Sequence, residues 1–370
     1  MTENKPTMLT YIKESPSRVK FNLDNRKALT DSLASEYING KYNSVLIVAC
    51  GSSSNASMCA KPFMQKYLDT DVQVVTPATF LYQEIAPKVD VLCVVISQTG
   101  CSTNSIQALD KLQELGKKRI GITGNANSDF KDHTDLLIDY GVGEERVGYV
   151  TKGVTTLVEF LMLFSIEVAL IKKTIGCDRY NEVISEFDKM PSYHEKMQEL
   201  SIDFYERHRK ELTSLLVLHV CGFEQSYGVS LEAALKVGET VKIPSFAYEA
   251  EEYIHGPNLQ LTPNYSAFIV DDYSKGHDRL VTVWKAISQV TDHAFMLTND
   301  PAVDEEHACR LPADKLNEPL LAPLFQLEFF QYISYRVTTE LNGWEEHPLM
   351  SKFKEIAASK TANISKFVND

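Results

Sequence analysis

Two short stretches crowd small polar groups where apolar runs end: IVACGSSSNAS (47–57) and VISQTGCSTNS (95–105). Each combines hydroxyls and amides with a glycine and then opens a helical pattern. In an open parallel sheet, ligands sit outside the carboxyl ends of the strands, where such turns lie. A helix N-terminus presents unpaired N–H groups and the positive end of a dipole, which suits an anion. Ser52, Ser53, Ser97, Thr99 and Ser102 can therefore wrap a phosphate monoester with neutral donors. The competing role is simple helix capping. One such loop would favour capping, whereas two on neighbouring strands favour phosphate. Neither GK[ST] nor GxGxxG accompanies them, so a dinucleotide is not indicated.

A second chemistry lies further along the chain. Taking a proton from carbon beside a carbonyl or imine needs a base, and a carboxylate serves if burial raises its pKa toward neutrality. Glu232 and Glu239 stand seven apart in a helical segment and so share a face, with Lys236 between them. The competing reading is a solvated face carrying an (i, i+4) Glu–Lys pair. His255 follows Glu249, Glu251 and Glu252 in a loop and is placed to carry a proton. The matching turn of the second half, CGFEQSYG, lacks the serine cluster. These two features tip the balance toward proton transfer.

The elements that must position these groups alternate. SVLIVAC (44–50), DVQVVTP (71–77), VDVLCVVIS (89–97), KRIGITG (118–124) and DLLIDYG (135–141) are apolar strand-like runs separated by helical stretches. A strongly apolar helix follows at 155–173. This is the pattern of a parallel sheet covered on both faces. The second half repeats the order: Cys221 and Gly222 stand 171 residues after Cys50 and Gly51. SFAYEAEEY (245–253) parallels TPATFLYQE (76–84) at a lag of 169, and two further strands recur at lags near 175. A duplicated α/β domain is expected. Its parts are an N-terminal helical extension (1–37), a first domain (38–175), a helical linker (176–211), a second domain (212–345) and a tail (346–370).

Bulk properties narrow the partners. With 370 residues, two domains are the default. A net charge of −13 argues against nucleic acid and anionic membranes, though not against a small anion held locally. No run reaches the length of a membrane span, and the opening MTENKPTMLT lacks a signal-peptide core. Seven cysteines without CxxC read as reduced thiols of a cytoplasmic protein. Cys101 lies in the polar loop, where it is either reactive or a tolerated small residue. No metal-ligand spacing is present, and neither metal nor cofactor is expected.

CGSSSNA, ISQTGCSTNS and TKGVTT (151–156) together resemble the SIS (sugar isomerase) domain. The doubled arrangement resembles the isomerase half of glucosamine-6-phosphate synthase, the stand-alone phosphosugar isomerases and the fructosamine-6-phosphate deglycases. The strongest match is LEAALKVGETVKIPSFAYEAEEYIHGP (231–257). The resemblance implies two tandem SIS domains, each a five-stranded parallel sheet flanked by helices in a three-layer, flavodoxin-like α/β fold.

It also implies roles. Ser53, Ser97, Gln98, Thr99 and Ser102 match sugar-phosphate ligands, with Ser52 beside them. Glu239 matches the carboxylate that moves a proton between C1 and C2, and Glu232 a second carboxylate near the sugar. His255 matches a ring-opening histidine, often supplied by the neighbouring subunit, so a homodimer or larger homo-oligomer is implied. ASKTANI (358–364) resembles the family's lysine tail, making Lys360 the candidate, with Lys352 and Lys354 as alternatives. Tyr149 and Val150 replace small residues of the synthase, and the glutaminase domain has no counterpart. The implied reaction is cleavage of a 6-phosphorylated Amadori product to glucose 6-phosphate and free amine. Isomerisation or deamination of an amino-sugar phosphate is the alternative, and a non-catalytic sugar-phosphate sensor the third.

Overall fold

The computed structural model describes residues 5–83, 86–271 and 273–368; residues 1–4 of the polar opening lie outside them. The chain divides into two compact units. Ser17–Glu182 and the tail from Glu346 belong to the first, and Met8–Pro16 and Val183–Glu345 to the second.

The first unit is built on β1 (Ser44–Val48), β2 (Asp71–Val75), β3 (Val91–Ile96), β4 (Ile120–Thr123) and β5 (Leu136–Asp139). All pair in parallel, in the order β2-β1-β3-β4-β5. That is the flavodoxin-like order. Its central strands are apolar throughout because helices cover both faces. One covering element is the helix Lys152–Lys172, which packs against Ser52–Leu68 and Arg26–Gly40. At 21 residues it is long and apolar enough to cross a membrane, contrary to the sequence expectation, yet 89% of its most apolar window is buried within the protein. Arg26–Gly40 buries Leu33, Ala34 and Tyr37, so this part of the supposed N-terminal extension is a layer of the first unit.

The second unit repeats the plan with β6 (Leu218–Gly222), β7 (Ser245–Glu249), β8 (Ser266–Val270), β9 (Ala294–Leu297) and β10 (Ala308–Cys309). Their order, β7-β6-β8-β9-β10, is the same path through the sheet. The fold is thus a tandem α/β pair, but one alignment drawn from spacing was offset. Ser44 pairs with Asp71 as Leu218 pairs with Ser245, so the counterpart of β7 is residues 71–75, not 76–84. From Thr76 the chain is already turning into the helix Pro77–Tyr82, with the Thr76 hydroxyl accepting the Thr79 N–H at 3.1 Å. The expected linker also differs: its helix Met190–Arg207 packs on Pro323–Glu340 and buries Met197, Phe204 and Tyr205.

Between those two helices lies a buried carboxyl. Glu328 accepts one hydrogen bond, from Ser201 Oγ at 3.1 Å, and its Oε1 has no partner among the described residues. Burial pushes its pKa up to about 8. The proton is therefore bound more tightly in the fold than in the unfolded chain, where glutamate titrates near ~4.3. This stabilisation is complete below ~4.3 and is lost as pH rises toward about 8. Glu328→Gln should remove a slope of up to ~1.4 kcal/mol per pH unit in that window, measured by denaturant midpoints from pH 5 to 9.

Candidate functional site

Parallel pairing of β1 with β3 sets their carboxyl-end turns side by side, with Asn104 Nδ2 reaching Cys50 Sγ at 3.8 Å. The β3 turn needs its glycine: Gly100 has φ +62°, and a Cβ there would lie 1.8 Å from Ser128 Oγ. Neither turn uses its hydroxyls as helix caps. Gly51 occupies the N-cap of Ser52–Leu68, and the N-cap side chain of Thr103–Glu114, Ser102, makes no capping bond. Instead Ser97 Oγ and Ser102 Oγ lie 3.0 Å apart, both nearly buried. Ser52 and Ser53 stand half-buried in the first turn of their helix. Cys101 is fully buried and burial raises its thiol pKa, which disfavours a reactive thiolate.

The tail reaches this turn. Lys360 Nζ donates to Ser102 Oγ at 2.8 Å and to Thr99 Oγ1 at 3.4 Å. The residue is exposed as a whole, but the surroundings of its ammonium are crowded, and that desolvation lowers its pKa. Lys354 pairs with Glu346 at 2.7 Å and Lys352 is exposed, so neither alternative lysine has a bond to the turn.

Gln98 points elsewhere. Its Nε2 donates to Glu145 Oε2 at 2.8 Å. Glu145 also accepts the N–H groups of Thr151, Lys152 and Gly153 at 2.8, 3.0 and 2.7 Å, filling the N-terminus of Lys152–Lys172. Sequence reading missed Glu145; its signal is an acid just ahead of a helix start.

In the second unit, the helix Glu224–Thr240 carries Glu232, Lys236 and Glu239. This is not a solvated face. Lys236 is 0% exposed, with Glu232 Oε1 at 3.4 Å and Glu239 Oε1 at 2.6 Å. Burial would lower the Lys236 pKa, but the two carboxylates outweigh it and the net shift is upward. The ammonium therefore stays charged, and only Glu239, its side chain 30% exposed, leads toward solvent. Lys236 belongs to the candidate site, although spacing alone read it as half of a surface pair.

His255 stands apart, exposed at the end of the helix Ala250–Ile254, its ring without a hydrogen bond among the described residues. Gly256 follows with φ +146°, a conformation that only glycine adopts easily. The preceding acids have structural duties. Glu249 caps that helix through the Glu251 and Glu252 N–H groups, each at 2.9 Å, and Glu251 pairs with Arg279.

The turn after β8 corresponds to the hydroxyl turn after β3. Asp271 N donates to Leu297 O at 3.2 Å, as Ser97 N does to Ile122 O at 3.0 Å. Asp300 N donates to Thr298 Oγ1 as Asn125 N does to Thr123 Oγ1. Here, however, His277 is held between Asp271 (3.0 Å) and Asp300 (2.7 Å). Burial alone would lower the His277 pKa, but these carboxylates raise it overall. Asp271 thus stands where the first unit has the Ser97 hydroxyl, and Asp300, from the turn after β9, where it has Asn125.

Residues 40–166 match the SIS domain family. The chain carries a SIS domain over these residues. A Clostridium difficile 630 protein provisionally classed as a phosphosugar isomerase superposes with a TM-score of 0.86 at 26% identity, covering 97% of this chain and 100% of that one. The C-terminal domain of glucosamine-fructose-6-phosphate aminotransferase from Francisella tularensis shares the fold at a TM-score of 0.80 and 22% identity, covering 91% and 96%. The Clostridium tetani glutamine–fructose-6-phosphate aminotransferase (isomerizing) is 25% identical over 345 residues, 90% of this chain and 56% of that protein. The Pseudomonas aeruginosa enzyme of the same name is 29% identical over 269 residues, 69% of this chain and 43% of that one. The SIS-domain chain thus spans about half the length of these curated relatives.

Two outcomes follow from this geometry. Lys236→Met removes the buried cation shared by Glu232 and Glu239 and should destabilise the protein by ~3–5 kcal/mol in denaturant titrations, whereas Glu239→Gln, nearer solvent, should cost ~1 kcal/mol or less. Phosphate affinity, measured calorimetrically above pH 7, should weaken as pH rises and Lys360 loses its proton, with a midpoint below the ordinary ~10.4 of lysine; Lys360→Met should flatten that dependence.

Proposed function

We propose that this SIS-domain protein is an enzyme that moves a proton between C1 and C2 of a 6-phosphorylated sugar derivative, releasing an amine. The observation that carries the reading is the hydroxyl turn. Its serines and threonine are not spent on capping but gather with the Lys360 ammonium, as a phosphate-binding loop requires. Ser52 and Ser53 extend the same donor set. For the proton, Glu239 is the base, with Glu232 and Lys236 fixing its position and charge.

The preferred substrate is an Amadori product, an amine joined to C1 of fructose 6-phosphate. Glu239 takes the C1 proton and returns one to C2, which converts the ketosamine into the C1 imine. Water then adds to that imine and the C1–N bond breaks, giving glucose 6-phosphate and free amine. His255 is exposed and its ring has no hydrogen bond among the described residues, which supports its being offered to a neighbouring copy in a homodimer or larger homo-oligomer. A second reading, isomerisation or deamination of an amino-sugar phosphate, is favoured by the relatives named for glutamine–fructose-6-phosphate aminotransfer. A Thermotoga maritima glucosamine-6-phosphate deaminase also shares the fold, at a TM-score of 0.70.

The test is incubation with fructose-lysine, fructose-asparagine and glucosamine 6-phosphates, assaying glucose 6-phosphate and ammonia separately. Glucose 6-phosphate without ammonia from an Amadori substrate is the expected result. Ammonia from glucosamine 6-phosphate supports the second reading, and binding without any turnover supports a sensor. Glu239→Gln should lower turnover by ~10²–10⁴-fold while leaving the dissociation constant for glucose 6-phosphate unchanged; joint loss of both would make Glu239 structural.

A further inference from the structure

The segment that carries Lys360 has little apolar footing. The helix before it, Met350–Ile356, buries no residue, and Ile356 is 87% exposed. The 3₁₀ turn after it, Ala362–Lys366, buries none either. What holds the strap is polar. Thr103 N donates to Ser359 O at 3.1 Å and Thr361 N donates to Cys101 O at 2.9 Å, forming an antiparallel bridge between Ser102 and Lys360. The Thr103 hydroxyl adds a long bond to Ala358 O at 3.4 Å. The remaining grip comes from one carboxylate. Asp129 accepts the Thr361 hydroxyl on one oxygen and Asn363 Nδ2, at 2.6 Å, on the other.

Asp129 is unusual in what it leaves undone. It stands at the N-cap of the short helix Phe130–His133, where an aspartate ordinarily caps, yet it makes no capping bond. Both oxygens serve the tail instead. Its segment is tied to the hydroxyl turn, since Phe130 N donates to Gly100 O at 3.2 Å and Ser128 packs on Gly100. Thr361 is extended, with φ −71° and ψ 163°. In extended chain, neighbouring side chains face opposite ways. Gripping Thr361 from one side therefore turns Lys360 to the other, onto Ser102 and Thr99.

We propose that Asp129 is a positioning residue that latches the C-terminal strap through Thr361 and Asn363 and thereby sets the Lys360 ammonium on the anion-binding turn. The proposal rests on the phosphosugar reading only for what Lys360 then binds. Asp129 stays charged at neutral pH, because the Thr361 hydroxyl bond lowers its pKa, with Asn363, His133 and Lys366 adding to the effect against desolvation.

The strap covers a reporter. Cys101 is 0% exposed, its carbonyl bonded to Thr361 N, whereas Cys177 is exposed and serves as an internal control. The experiment compares the full chain with Asp129→Ala, Asp129→Asn, Thr361→Val, Lys360→Ala and the double variant Asp129→Ala/Lys360→Ala. Each is checked for native circular dichroism. Iodoacetamide labelling of Cys101 and Cys177 is resolved by peptide mass spectrometry, and glucose 6-phosphate binding is measured by calorimetry.

The expected result is Cys101 labelling at least ~10-fold faster in Asp129→Ala and Thr361→Val with Cys177 unchanged. Asp129→Asn, which keeps one acceptor oxygen, should fall between. Asp129→Ala should weaken glucose 6-phosphate binding by ~10- to 100-fold, as Lys360→Ala does, and the double variant should bind no worse than Lys360→Ala. Protected Cys101 in a folded Asp129→Ala variant overturns the latch. Additive losses in the double variant overturn its action through Lys360, as does unchanged affinity with Cys101 exposed. If the wild-type protein binds no glucose 6-phosphate, the phosphosugar reading fails, and the Cys101 rates decide the latch by themselves.

Discussion

The ladder of parallel hydrogen bonds between β1 and β3 is the constraint on which the first unit's chemistry depends. Parallel pairing makes both strands end at the same edge, so the turns after Val48 and Ile96 emerge together. Neither turn has a cation of its own. Their donors are hydroxyls, backbone N–H groups and two helix ends, and the one ammonium that meets them arrives from the tail, 258 residues beyond Ser102. In a chain of net charge −13, that ammonium sets a positive charge beside these neutral donors.

The second unit shows how the same sheet order can be put to other use. Its β8 turn keeps a backbone bond of the β3 turn but has Asp271 where that turn has Ser97, and Asp271 clasps His277 together with Asp300 from the turn after β9. Such a turn repels a dianion. The ionisable groups of interest moved instead to the helix after β6, where Lys236 is enclosed between Glu232 and Glu239. A buried ammonium is tolerable only with charged partners at bonding distance. That requirement holds Glu239 in one place while leaving it open toward solvent.

Much of this was legible in the order of residues. Near-continuous apolar strands announced parallel sheets, and hydroxyl clusters announced polar turns at their ends, because both depend on neighbours in sequence. The duplication was visible too, although the match for Ser245–Glu249 was displaced: spacing cannot tell a strand end from the first turn of the helix that follows. The reach of the helix Lys152–Lys172 was understated: no run was expected to attain the length of a membrane span, yet this one does, and its burial inside the protein accounts for its apolarity.

What sequence by itself determined, then, was the set of local devices: strands, turns, caps and the helical face shared by Glu232, Lys236 and Glu239. Tertiary structure decided what each device is worth. It buried Lys236, which spacing would equally have placed in solvent. It gave Gln98 to Glu145, chose Lys360 over Lys352 and Lys354 as the lysine on the turn, and assigned Asp129 to the strap. Burial and long-range hydrogen bonds are properties of chain closure, and no pattern confined to a few neighbouring residues encodes them.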